Sequence, residues 1–447
     1  MEFLGRIGLR TAEQRAWAMY DWANSAFILT VVTTLFPIFF TDVAAVGLPG
    51  SVATQRFSWT TSIALAVVAL MAPFLGAVAD FAGIKKKLLS LFLAIGATAT
   101  ALMYFIDPGQ WLFAAALFGI ANVGAQGSYV FYDSLLPHIA RHEEMDRVSA
   151  AAYAVGYFGS SILLGLQFAA IARPELFGLP AGPGLPLETA SLPARLGFLS
   201  VALWWVVFAI PLFRRVPEPA PRLEADERPG QSTVRVALRR LLETFRELRT
   251  YRHAFLMLVA FLVYNDGIGT IIRMAAIYGQ ELGIGRSALI GSILMVQLVG
   301  VPFAFLFGSL AGRIGPKRSI LLGLVVYVGV AIYAYFIETA VEFFVLAFVV
   351  GMVQGGTQAL SRSLFASLIP RHKSAEFFGL YGVLDKFAGT LGPTVFASTI
   401  AVTGSSRQAI LSIIVFFVIG ALLLTRVDVA AGRSAARRAE TGLHPSA

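Results

Sequence analysis

Four carboxylates, Asp21, Asp133, Asp266 and Asp385, stand in otherwise apolar runs, together with the cations Arg273, Arg362 and Lys386. Charges in such runs are expensive, and they hold protons, pair across helices or recognise charge on a substrate. In "VYNDGIGTIIRM", Asp266, Thr270 and Arg273 fall at i, i+4 and i+7 on one helix face. A helix starting near His253 puts Asp266 about 20 Å along, close to mid-membrane. Burial there favours uptake and release of a proton, whereas Arg273 favours the carboxylate. The expectation is proton coupling at Asp266, with Thr270 and Arg273 meeting substrate. The competing reading is a structural pair with a basic group on another helix. In "YGVLDKFAGTLGP", Asp385 is a second coupling candidate, and Lys386 a partner for Asp266.

Two amide stripes accompany these charges. Asn122, Gln126, Tyr129 and Asp133 lie at i, i+4, i+7 and i+11, and Gln354, Gln358 and Ser361, with Arg362 beside them, form a second stripe. Amides in lipid leave donors and acceptors unpaired, so both stripes are expected to face protein or water. They either line a substrate cavity or bond helices together. Near the start of the chain, "AWAMYDWANSAF" carries Asp21 with Asn24 and Ser25 on its face. Thr11 and Gln14 form a capping box that starts this helix before the membrane, so Asp21 lies about 15 Å along, near the edge of the hydrocarbon. Asp21, Asn24, Asp133 and Arg362 are expected to form a gate at that end; a static ion network is the alternative. Trp17 and Trp22 suit the membrane interface.

The chain that positions these groups has 447 residues, 57% hydrophobic and 14% charged, with a mean hydropathy of +0.74. Apolar runs of about 20 residues match the ~30 Å of a bilayer core. Twelve fall near 17–41, 58–80, 88–106, 110–136, 149–172, 195–213, 253–279, 288–311, 318–336, 342–368, 377–401 and 406–426. Runs this long in lipid are helices. The fold class is therefore all-α polytopic membrane protein, with twelve transmembrane helices in two six-helix bundles. The domains are 1–213, a linker 214–252 with an amphipathic helix, 253–426, and a disordered tail 427–447.

The net charge of +9 could mean nucleic acid, but its distribution reads as topology. With both termini cytoplasmic, only Arg56, Arg173, Arg195, Arg286 and Arg407 fall in the opposite loops. No cysteine and no close histidine pair point to a metal, no G-x-x-x-x-G-K-[ST] loop points to ATP, and no nucleophile–base set points to an enzyme. No cofactor, metal or nucleic acid is expected. No cleaved leader is read at the N-terminus. The linker segment "VRVALRRLLETFRELRTYRH" spaces Val234, Leu238, Leu241, Leu242, Phe245 and Leu248 for a helix on a membrane surface or on the cytoplasmic loops.

"GAVADFAGIKK" (76–86) and "GSLAGRIGPKR" (308–318) repeat at an offset of 232, which also pairs Asn122, Gln126 and Tyr129 with Gln354, Gln358 and Ser361. Parallel repeats of six spans point to a two-bundle transporter. The first copy, Gly76, Asp80, Gly83, Lys85 and Lys86, resembles the loop 2–3 signature of the major facilitator superfamily; Gly312 replaces the acid in the second. "YDWANSAF", "YNDGIGTI" and "GGTQALSRSLFASLIP" resemble the vacuole effluxer-like family, the autophagy-related vacuolar amino-acid exporters and their bacterial relatives. The resemblance implies a monomeric, multi-pass cell-membrane transporter working by alternating access, with spans 1, 4, 7 and 10 lining its cavity and Asp80 as a conformational latch. The expected cargo is a small polar solute, an amino acid, moved with protons. The alternative is proton-coupled efflux of amphipathic or cationic compounds; the span-5 glycine–proline element of such pumps is missing from "AVGYFGSSILLGLQ".

Overall fold

A computed structural model of the chain describes residues 5, 7–224, 227, 231–246, 250–387, 391–441, 444 and 445. The first half contains α1 (Ala12–Ala44), α2 (Gly50–Ala82), α3 (Lys85–Phe105), α4 (Trp111–Ser134), α5 (Met145–Ala172) and α6 (Leu192–Arg215). The linker carries α7 (Thr233–Arg246). The second half contains α8 (Arg252–Glu281), α9 (Arg286–Ile314), α10 (Pro316–Tyr335), α11 (Ala340–Leu368), α12 (Ser374–Phe387), α13 (Leu391–Thr403) and α14 (Ser406–Thr425). Among the described residues ten helices are long and apolar enough to cross a membrane. Amide-bearing α4 and the α12–α13 pair complete twelve spans in two groups of six.

Local chemistry sets the helix ends. Thr11 accepts from the Gln14 amide at 3.1 Å while the Gln14 side chain accepts from the Thr11 amide at 3.1 Å, the expected capping box. Thr339 and Glu342 repeat this device at the start of α11. Within α1, Phe27–Thr34 and Phe40–Ala44 are π-helical, a local widening often found at functional sites.

The halves meet through α2 against α12, and through α5 against α9 and α11. Small residues permit the closest approaches. A Cβ on Gly76 would lie 2.3 Å from the Ala375 carbonyl oxygen, and one on Gly379 would lie 2.6 Å from that of Ala72. Both contacts lie at the end bearing the Lys85–Lys87 loop, where the molecule is closed.

The tail differs from expectation. The segment assigned to disorder carries α15 (Val429–Thr441), which packs on α8 and α11; Gly432 abuts Leu368 and Glu440 accepts from the Arg371 amide at 2.8 Å. A two-residue strand, Arg222–Leu223, pairs antiparallel with His444–Pro445. Alanines and arginines at helical spacing, together with a docking site beneath, account for the order that composition alone did not show. Linker helix α7 packs on α2 through buried Val236, Ala237 and Arg240, with Val234, Leu238 and Leu242 exposed. The Phe245 side chain and Leu248 lie outside the described residues.

Candidate functional site: a cavity closed by a buried arginine

Arg362, on α11, is 3% exposed and organises the closed end. Its Nη2 donates to Asp21 Oδ2 of α1 at 3.1 Å and its Nη1 to Asp133 Oδ1 of α4 at 3.1 Å. Nε donates to the Ser149 hydroxyl at 2.9 Å, and Nη2 also to the Ser149 carbonyl. The guanidinium lies over the rings of Trp17, Tyr132 and Tyr153, at 4.8, 5.7 and 4.5 Å from their centroids. The next residue on α11, Ser363, donates its hydroxyl to Asp146 of α5 at 2.6 Å. The Arg362 and Ser363 donors are on the second half and their acceptors on the first, while the Ser149 hydroxyl donates back to the Ala359 carbonyl of α11 at 2.7 Å. The three charged residues singled out from their positions meet here. Ser149, Asp146 and Ser363 carried no separate signal, since serines recur throughout helices and an aspartate at a helix start reads as a cap. Trp17 departs from the interface reading: it is fully buried, donates to the Tyr132 carbonyl at 2.9 Å and forms part of this cage. Trp22 stacks on Trp204.

A cavity of about 460 Å³ runs from Asp21 and Asp133 toward Leu289 and Phe343, between the halves. That volume suits a small molecule. Gln126 and Tyr129 line it from α4, Gln354 and Gln358 from α11, and Asp385 from α12. Tyr153 and Tyr157 of α5, with Phe261 and Tyr381, add an aromatic wall that no polar spacing in the sequence marks. Asp385 accepts from the Asn265 amide at 2.8 Å.

Other candidates lie elsewhere. Asn122 and Asn24 are buried inside the first half, away from the cavity. Ser361 is hydrogen-bonded to the Tyr264 hydroxyl at 2.6 Å, and Thr270 donates to the Asp266 carbonyl at 2.7 Å. Asp266 accepts from the Gly392 amide of α13 at 2.7 Å, with Arg273 at 3.8 Å. The α8 face toward the cavity is instead Phe261, Asn265, Ile271, Ile272 and Ala275. The Asp266 stripe is thus turned toward α13, whose first amides need an acceptor. Neither Asp266, Thr270 nor Arg273 lines the cavity, which corrects their expected place in it. The Lys386 side chain lies outside the described residues. Asp266→Asn keeps an acceptor for Gly392 and is expected to leave the fold intact, whereas Asp266→Leu is expected to cost about 1–3 kcal/mol in denaturant unfolding.

Beneath the gate, Asp80 pairs with Lys85 at 2.8 Å and accepts from the Glu376 amide at 2.9 Å, tying α2 to the start of α12. Lys85 also donates to the Ser374 hydroxyl at 2.7 Å and lies 3.0 Å from His138 Nε2. Burial, then Lys85 and Arg371, holds His138 well below the usual histidine range, and burial with Lys373 pushes His372 down to about 3. Both histidines bind a proton more weakly folded than unfolded. Their contribution is therefore complete above the unfolded value near 6.5 and is lost as pH falls below it, by about 1.4 kcal/mol per unit for each. Thermal unfolding between pH 7.5 and 5.5 is expected to show this loss, and His138→Gln with His372→Gln to flatten it.

Two parallel six-helix halves enclosing a central cavity with a few polar groups define a major facilitator-type transporter. The solved structures agree at the level of fold. The human organic anion transporter MFSD10 matches with a TM-score of 0.63 at 16% identity, covering 94% of this chain and 99% of that one. FucP in its outward conformation matches at 0.67 and 13% identity, with the same coverage. By sequence, the model for vacuole effluxer Atg22-like proteins matches residues 50–437, and the chain belongs to that family. A Bacillus subtilis protein described as an uncharacterized MFS-type transporter, YxiO, is 37% identical over 93% of this chain and 95% of its own length. Autophagy-related protein 22 of Yarrowia lipolytica is 27% identical over 86% and 77%. YxiO, MFSD10 and FucP are all described as transporters, not enzymes.

Proposed function

We propose that this chain carries a small polar solute, an amino acid, across the cell membrane by alternating access coupled to protons. The observation that carries the reading is the cavity between the halves, closed at one end by Arg362 on Asp21 and Asp133. Gln126, Gln354 and Gln358 supply donors and acceptors for a carboxylate and an amine, and the tyrosines cover an apolar side chain. With both termini cytoplasmic, the closed end is the cytoplasmic one and the cavity is presented outward. The halves 1–213 and 253–426 rock about it, joined by 214–252, and the protein works as a monomer in a bacterial inner membrane. Asp21, Asp133 and Arg362 act as the cytoplasmic gate, Asn24 as packing behind it, and Asp80 as the latch. Asp385 faces the cavity as a coupling acid, whereas Asp266 holds α13 to α8.

Efflux of amphipathic cations is the second reading, favoured by the carboxylates and aromatic wall of the cavity. Counterflow in proteoliposomes separates the two. Labelled amino acid that accumulates transiently only when the matching unlabelled pool is inside supports the first. Absence of exchange with every amino-acid pool, alongside exchange of organic cations, replaces it with the second.

A further inference from the structure

The cavity floor carries an unbalanced charge. Asp21 and Asp133 share one guanidinium, each through its own nitrogen at 3.1 Å. Two carboxylates against one cation leave a net charge of −1 when both are ionised. Arg362 lies behind this floor and does not line the cavity, whereas Asp21, Asp133 and Tyr153 do. Among the described residues the cavity lining contains carboxylates and no Lys, Arg or His. Asp133 is faced by Asp21 and Tyr20 from α1, Tyr153 from α5, Arg362 from α11, and Tyr381 and Asp385 from α12. Its side chain is 13% exposed against 7% for Asp21, so it is the more accessible of the two from the cavity. Burying an unneutralised charge in such a place is costly, and a mobile cation removes the cost.

We propose that the Asp133–Asp21 pair is a shared cation site, occupied either by a proton or by the ammonium group of the substrate, and that the two compete for it. This rests on the transport reading above and adds to it the chemical group recognised. A primary ammonium brings three donors and a full charge to a floor that already has an aromatic wall in Tyr153 and Tyr157. It also draws Asp133 away from Arg362, so arrival of substrate weakens the bond that holds the gate shut. Proton and substrate exclude one another at a single site, which is the condition for exchange of one for the other across the membrane. A coupling acid is then part of the gate, in addition to Asp385 on the cavity wall.

The test is thermal stabilisation of the full chain in nanodiscs between pH 5 and 8. Three probes are compared: a pool of the common amino acids, a pool of their decarboxylated primary amines, and a pool of N-acetylated amino acids. The free amines of the first two pools are expected to stabilise and the acetylated pool not to. Acidification is expected to weaken binding about tenfold per pH unit where the pair takes up its proton. Asp133→Asn is expected to lose that slope and bind at least tenfold more weakly, while Asp133→Glu keeps the slope and controls for folding. Equal stabilisation by the acetylated pool, or an unchanged slope in folded Asp133→Asn, overturns the shared site. In both cases counterflow still reports separately on whether an amino acid is carried. Silence of all three pools with cooperatively unfolding protein overturns the site, and absent counterflow then overturns the amino-acid reading as well.

Discussion

Arg362→Gln is expected to abolish most transport, at least tenfold, and to destabilise the protein by about 3–5 kcal/mol. Removing one partner of a buried ion pair leaves the other desolvated and uncompensated. Here the loss is compounded, because two carboxylates depend on one guanidinium that also bridges to Ser149 and fills the cage of Trp17, Tyr132 and Tyr153. The cost is read from denaturant unfolding and transport from counterflow. The triple variant Asp21→Asn, Asp133→Asn, Arg362→Gln removes the stranded charges. It is expected to recover most of the stability and none of the transport, which separates a functional role for the cluster from a purely structural tie. Full activity in the single variant removes the gate assignment.

Gly76→Val is expected to prevent closure at the latch end. Its Cβ would stand 2.3 Å from the Ala375 carbonyl and 2.9 Å from the Glu376 Cα, where ordinary contact begins at 3.4 Å. Both obstacles are backbone, so α2 and α12 have to stop roughly 1 Å or more short, and overpacking of this kind costs about 1–3 kcal/mol. The open alternative pays none of it, so the population shifts toward the state with the basic end apart. Because the chain has no cysteine, Lys87→Cys and Arg313→Cys provide unique sites for spin labels on the two halves. The Gly76→Val background is expected to lengthen that distance and to reduce transport below about a tenth. An unchanged distance distribution rejects the close approach as the closing contact.

What could be read from the sequence, and what could not, follows from the cost of each residue type. A charge in an apolar span is expensive enough to stand out singly, so Asp21, Asp133 and Arg362 were visible before their contact was known. The amides of α4 and α11 were legible for a similar reason, with the internal repeat presenting the same stripe twice. Tyr153 and Trp17 carried no such mark, since aromatic residues are cheap in a bilayer helix and become informative only when the guanidinium they cover is located. The Asp266 face was misplaced because its direction depends on α13, a long-range neighbour that local periodicity does not encode. The tail was misread from composition: polar and small residues form a stable helix once α8 and α11 offer a surface, and that surface lies far away in sequence.

The division of charge at the gate bears on how the molecule assembles. The halves repeat one pattern at an offset of 232, yet the acids belong to the first and the arginine to the second. Two copies of the first half set face to face would gather four carboxylates with no base, and two copies of the second would oppose two arginines. Neither half can therefore close upon its own duplicate from a neighbouring molecule. The first half by itself presents a vacancy of defined sign, and the arginine that fills it is supplied by the second half of the chain.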